Sequence, residues 1–150
     1  MATEAEKRMH RCCFTGHRPE KLQESEDAVT AALEKEIRQA IADGFNVFIT
    51  GMARGVDIWA AEIVLRLRDA GEAVRLICAC PYQGFERGWK QSWQERYQAI
   101  LSAADLVRFT GRTSDSFVKI RRCSSSGGIG VRYALMVDVA SSFCFVVPSA

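Results

Sequence analysis

Three short segments bring together residue types that could do chemistry. The richest is Thr50-Gly51-Met52-Ala53-Arg54-Gly55-Val56-Asp57, which lies between an apolar run and a helix-like stretch. Gly51 and Gly55 let the backbone turn sharply and approach a ligand with no Cβ in the way. The amides that open the following helix lack intrahelical partners and favour an anion. Arg54 adds a full charge and a planar fork suited to phosphate or carboxylate. Asp57 has two compatible readings, a helix N-cap or an acceptor for a sugar hydroxyl or ligand amine. The spacing is neither G-x-x-x-x-G-K-S/T nor G-x-G-x-x-G, which argues against a P-loop and against an ordinary dinucleotide fingerprint.

The second segment, Thr15-Gly16-His17-Arg18-Pro19, also follows an apolar run. His17 and Arg18 would supply donors to a phosphate or a base edge; the plain reading of His17 is a surface or packed histidine. The third, Pro81-Tyr82, offers a ring that could stack on a base or sugar, or simply serve as a half-buried aromatic. Trp89, Trp93 and Tyr97 share one helical face and read as core. No residue is assigned a catalytic role. The six cysteines form no C-x-x-C pair and read as buried structural thiols, so no metal and no cofactor is expected.

The elements that must hold these segments alternate strand and helix. Strands are expected at 11–15, 45–50, 73–80 and 105–109. Helices are expected with Glu26 and Asp27 in the first turn, an apolar face from Val29 to Ile41 and Gly44 just past the end, then from Asp57 to Ala70 and from Gly88 to Ala103. The helix at 57–70 is apolar over most of its surface, so sheet and neighbours should cover it on several sides. Val131 to Val139 reads as a short helix and 143–147 as a last strand. Helices of this length between strands imply right-handed crossovers. The expected fold is α/β, a Rossmann-like three-layer sandwich with a mainly parallel sheet and helices on both faces, forming one domain over residues 1–150. Ligands on such sheets bind beyond the carboxyl ends of the strands, which puts Gly16, Gly51 and Pro81 on one edge.

The bulk properties narrow the function classes. With 150 residues and a formal charge of +2, the chain can bury a core and is too nearly neutral to imply a nucleic-acid partner. Met1 to Arg11 is mixed in charge and unlike a secretory signal, and no run is long enough to cross a membrane. The expected location is the cytoplasm.

Taken together, Thr-Gly-His-Arg-Pro at 15–19, Gly-Met-Ala-Arg-Gly-Val-Asp at 51–57, and Pro81-Tyr82 with Phe85 and Trp89 resemble the YpsA-type members of the SLOG superfamily. That Rossmann-like fold is shared by the DNA-processing protein DprA and the LOG cytokinin-activating enzymes. The resemblance runs from about Arg11 to Phe109 and includes Trp93 to Tyr97 and Ala103-Ala104-Asp105. It implies recognition of nucleotides or nucleotide-derived ligands at Gly16, Arg18, Gly51, Arg54 and Asp57. Beyond Gly111 two alignments exclude each other. Gly127-Gly128-Ile129 stands for the family's Gly-Gly-Thr loop and completes the ligand site, or Met136-Val137-Asp138 marks an earlier helix and that loop is missing. Either way the second half of the site is altered or shortened, and a second copy covering the shortened edge would make a homodimer.

The expected function is binding of a nucleotide or ADP-ribose-like ligand, as a sensor, carrier or sequestering protein. A LOG-like phosphoribohydrolase is the enzymatic alternative. The resemblance would have it draw its carboxylate from a P-G-G-x-G-T-x-x-E motif, whereas Gly127-Gly128-Ile129-Gly130 is followed by no such Glu. A third reading, DprA-like binding of single-stranded DNA, would use Arg108, Arg112, Lys119, Arg121 and Arg122, a stretch that reads equally as a solvated loop.

Overall fold

The computed structural model describes residues 10–15, 18–22, 24–109, 133–137 and 144–148. Strand and helix alternate as β1 (Arg11–Thr15), α1 (Glu26–Ala42), β2 (Val47–Thr50), α2 (Val56–Asp69), β3 (Arg75–Cys80), α3 (Gln91–Ala103) and β4 (Leu106–Phe109), followed by β5 (Tyr133–Val137) and β6 (Cys144–Pro148). Local chemistry explains the borders of α1. The Ser25 hydroxyl accepts the Ala28 N–H at 3.2 Å, Glu26 and Asp27 occupy the first turn, and Gly44 follows the end with φ of 99°.

The sheet runs β4-β3-β2-β1-β5-β6. Neighbours from β4 to β5 pair in parallel, and β6 returns antiparallel to β5. The step from β1 to β4 always advances in one direction, so right-handed crossovers lay α1, α2 and α3 side by side on one face. The middle helix touches both neighbours. This explains its composition: α2 buries nine residues, from Val56 to Leu67, whereas α1 buries only Val29, Leu33, Ile37 and Ala40. Strand alternation sends Cys12, Phe14, Phe48, Leu76, Cys78 and Cys80 into that helical core, where Phe14 and Phe48 stack at 5.7 Å. Their alternates Cys13, Ile49 and Ala79 are buried too, so both faces of the sheet are covered. The Rossmann-like α/β expectation holds; a helix on the second face would lie outside the described residues.

One expected helix is instead a strand. Tyr133–Val137 forms β5 and pairs with β1, with Cys12 opposite Tyr133 and Thr15 opposite Met136. Five consecutive apolar residues carry no periodicity to separate a short helix from a buried strand, and pairing to the open side of β1 decides for the strand. Several borders also move, and β3 begins at Arg75 rather than 73. Phe45 and Asn46 precede β2, and α3 begins at Gln91 because turns occupy 83–88.

Candidate functional site

Parallel pairing brings the carboxyl ends of β1, β2 and β3 to one edge, where the loops after them meet. The loop after β2 is built around Thr50. Its hydroxyl is fully buried; it donates to the Asp57 carbonyl at 3.0 Å and accepts the Met52 N–H at 3.2 Å. Thr50 therefore holds the loop shut from beneath and presents no side chain outward. The positive φ at the head of the loop falls on Met52, at 61°, rather than on Gly51. The Met52 side chain is 0 % exposed, so core burial holds it in a conformation that costs a non-glycine residue energy.

Gly55, with φ of 96° and ψ of −127°, is the residue that needs to be glycine, and it is the N-cap of α2. This corrects the N-cap reading of Asp57, which lies inside the first turn of α2. Its carboxylate folds back instead, and Oδ2 accepts the Ala53 N–H at 3.4 Å. The first helical bond runs from the Trp59 N–H to the Gly55 carbonyl. The amides of Val56, Asp57 and Ile58 come before that bond, and the N-cap itself is a glycine that supplies no side-chain cap. The dipole of this helix end favours an anion.

The loop after β1 reaches this place through an acidic residue that no sequence pattern singled out. Arg18 is exposed and heads a 3-10 turn, Pro19–Lys21, with Pro19 in its first position. In that turn Glu20 accepts the Arg54 Nη1–H at 2.8 Å, joining the two loops across 34 residues of sequence. A hydrogen bond from its own backbone amide does most to lower the pKa of Glu20; Arg54 and Arg18 lower it further, against the effect of desolvation. The two arginines read as anion ligands therefore share one neighbourhood. Gly16, His17, Gly127 and Gly128 lie outside the described residues.

After β3, Pro81 is buried and Tyr82 is half-buried. Tyr82 meets Phe85 edge-on at 5.4 Å, Phe85 meets Trp89 at 5.1 Å, and Trp89 meets Tyr97 at 5.5 Å. This aromatic row supports the packing reading of Tyr82. Trp89 precedes α3 rather than lying on it, and of the three aromatics read as core only Tyr97 is fully buried. A surface cleft of about 190 Å³ borders this region, lined by Glu86, Arg87, Tyr97 and Phe109, with no residue from the loops at 18–20 or 50–57.

The acid and thiol chemistry is largely committed elsewhere. Glu62 accepts two hydrogen bonds from Arg96, at 2.7 and 3.1 Å, within the helix layer. Cys12, Cys13, Cys78 and Cys80 are buried thiols, and burial above all, with Cys80 adjacent, pushes Cys78 up to about 12. Such thiols are poor nucleophiles. Among the described residues no three His, Cys, Asp or Glu side chains cluster as a metal site, and no helix is long and apolar enough to cross a membrane.

Known proteins match the same stretch of chain. A UPF0398 protein of Shouchella clausii is 35% identical over 106 residues, covering 66% of this chain and 56% of its own. A UPF0398 protein of Bacillus pumilus is 31% identical over 99 residues, covering 62% and 53%. A third, from Halalkalibacterium halodurans, is 32% identical over 79 residues, covering 53% and 42%. The match spans about half the length of these curated relatives. The model of the YspA SLOG family (YpsA) matches residues 12–120, a span that holds β1 to β4 and both loops of the candidate site. The chain belongs to the YspA SLOG family.

Proposed function

We propose that the edge formed by Arg18 and the loop from Gly51 to Asp57 binds a nucleotide or nucleotide-derived, ADP-ribose-like ligand through its phosphate. The protein then acts as a sensor, carrier or sequestering protein. Family membership points to a nucleotide-related binding role. The observation that carries the finer reading is the start of α2, with a glycine N-cap, no side-chain cap and Arg54 immediately before it. Helix dipole and guanidinium both favour the same charge at one point. The loop is also preorganised. Thr50, Met52 and Gly55 fix its path with buried groups, so little ordering is left for a ligand to drive.

The test is thermal unfolding of the full chain against nucleotides, NAD, ADP-ribose, cyclic dinucleotides and short oligonucleotides. A ligand at a hundred times its Kd adds about 2.7 kcal/mol, or roughly 5–10 °C for a domain of this size. The expected result is a rise with an adenine nucleotide-type ligand that Arg54→Ala removes. No rise with any phosphate compound would sink the binding role. Base release from a nucleoside monophosphate would replace it with the hydrolase, and salt-sensitive oligonucleotide binding with the DNA reading.

A further inference from the structure

We propose that Glu20 is a built-in competitor at this anion site, its carboxylate holding Arg54 until a phosphate-bearing ligand takes the guanidinium from it. The inference rests on the binding role above and extends it, because it assigns a residue that sets the affinity of the site.

The two ends of the Arg54–Glu20 contact are unequal. The Arg54 side chain is 22% exposed and comes from the tightly held loop after β2, whereas Glu20 is 58% exposed on a short 3-10 turn. Displacement therefore moves the carboxylate into water and leaves the arginine where it is. The contact is single-pronged, Nη1 to Oε1 at 2.8 Å, and uses one of the five N–H donors of the guanidinium. A phosphate can engage the fork through two parallel bonds, the stronger arrangement. Glu20 also lies within the influence of both Arg18 and Arg54, and with its pKa lowered it stays ionised through the neutral range. One carboxylate thus stands where two loops direct positive charge.

The size of the effect follows from exposure. Exposed ion pairs contribute little, so the competitor can weaken ligand binding by about fivefold at most. A competitor of this strength tunes the site rather than closing it.

Calorimetric titration of the full chain with ADP and with inorganic pyrophosphate tests this. Glu20→Gln is expected to tighten both ligands by about three- to fivefold. Glu24→Gln, which neutralises another exposed carboxylate four residues on, is expected to change either by less than about twofold. A cooperative unfolding transition with a midpoint within about 4 °C of wild type confirms that Glu20→Gln is folded. Weaker binding by Glu20→Gln would make Glu20 a positioning residue for Arg54 and overturn the proposal. Equal tightening by both variants would reduce it to general charge, and no change would make the pair inert. Wild type that binds while Glu20→Gln matches it rejects the competitor alone. No binding by either chain rejects the binding role and the competitor with it.

Discussion

Gly55 combines φ of 96° with ψ of −127°, a region that a Cβ makes costly, at the point where β2 hands over to α2. Glycine there does two things at once: it permits the turn and adds no side chain where a ligand would approach the helix start. Gly55→Ala is therefore expected to cost about 1–3 kcal/mol in chemical denaturation and to weaken ligand binding as well. A variant of wild-type stability would show that the turn relaxes without strain. Gly51 shows the limit of reading glycines by type. It occupies the position where a turn glycine is expected, yet the positive φ goes to Met52, whose side chain the core holds in place. Asp57 has the right type for an N-cap and sits two residues too late for one. Residue type located the turn between β2 and α2; which residue bears which duty depends on packing beneath it, and no local pattern records that.

At the scale of elements, Asp105 fastens the start of β4. Its Oδ2 accepts the Leu76 N–H at 2.8 Å and the Arg68 Nη1–H at 2.9 Å, tying β4 to β3 and to the last turn of α2. Burial alone would raise its pKa, but the Leu76 amide and Arg68 outweigh burial and lower it. A carboxyl lowered on folding contributes stability above its unfolded value, about 3.9, and loses it as pH falls through the folded value. Asp105→Asn keeps an acceptor for Leu76 but loses the charge that engages Arg68. It should cost about 1 kcal/mol at pH 7, roughly 2–4 °C in midpoint, and the gap to wild type should narrow as pH drops below about 4. A gap independent of pH would mean that the charge contributes nothing. The alternation of β1 to β4 with α1 to α3 was legible because the helices are long enough to show their period, and Gly44, Gly51 and Gly71 follow α1, β2 and α2. β5 was not legible, since Tyr-Ala-Leu-Met-Val has no period and its strand state is a property of β1 beside it. Glu20 was equally hidden, because its partner lies 34 residues away and meets it only after β1 and β2 pair.

For the molecule as a whole, the sheet order makes the site depend on strands remote from it in sequence. β1 carries the loop with Arg18 and Glu20, and it lies inside the sheet between β2 and β5. Four residues of β1, from Cys12 to Thr15, have partners in β5, so removing β5 would leave one whole side of β1 unpaired. Exposed, unpaired strand edges recruit other chains, and those backbone groups would otherwise have to be satisfied by water. A chain ending at Phe109 keeps both loops, all three described α-helices and nearly all of the stretch that matches the family, yet it lacks this partner strand. It is expected to self-associate in light scattering, to unfold without a single cooperative transition and to lose the nucleotide-dependent rise in midpoint. Restoring residues 110–150 as a separately produced chain offers only weak rescue, because strand pairing then carries the cost of association as well as of ordering. A monomeric, cooperative 1–109 chain with the full ligand response would show that β1 needs no neighbour on that side. The candidate site would then belong to the first four strands alone.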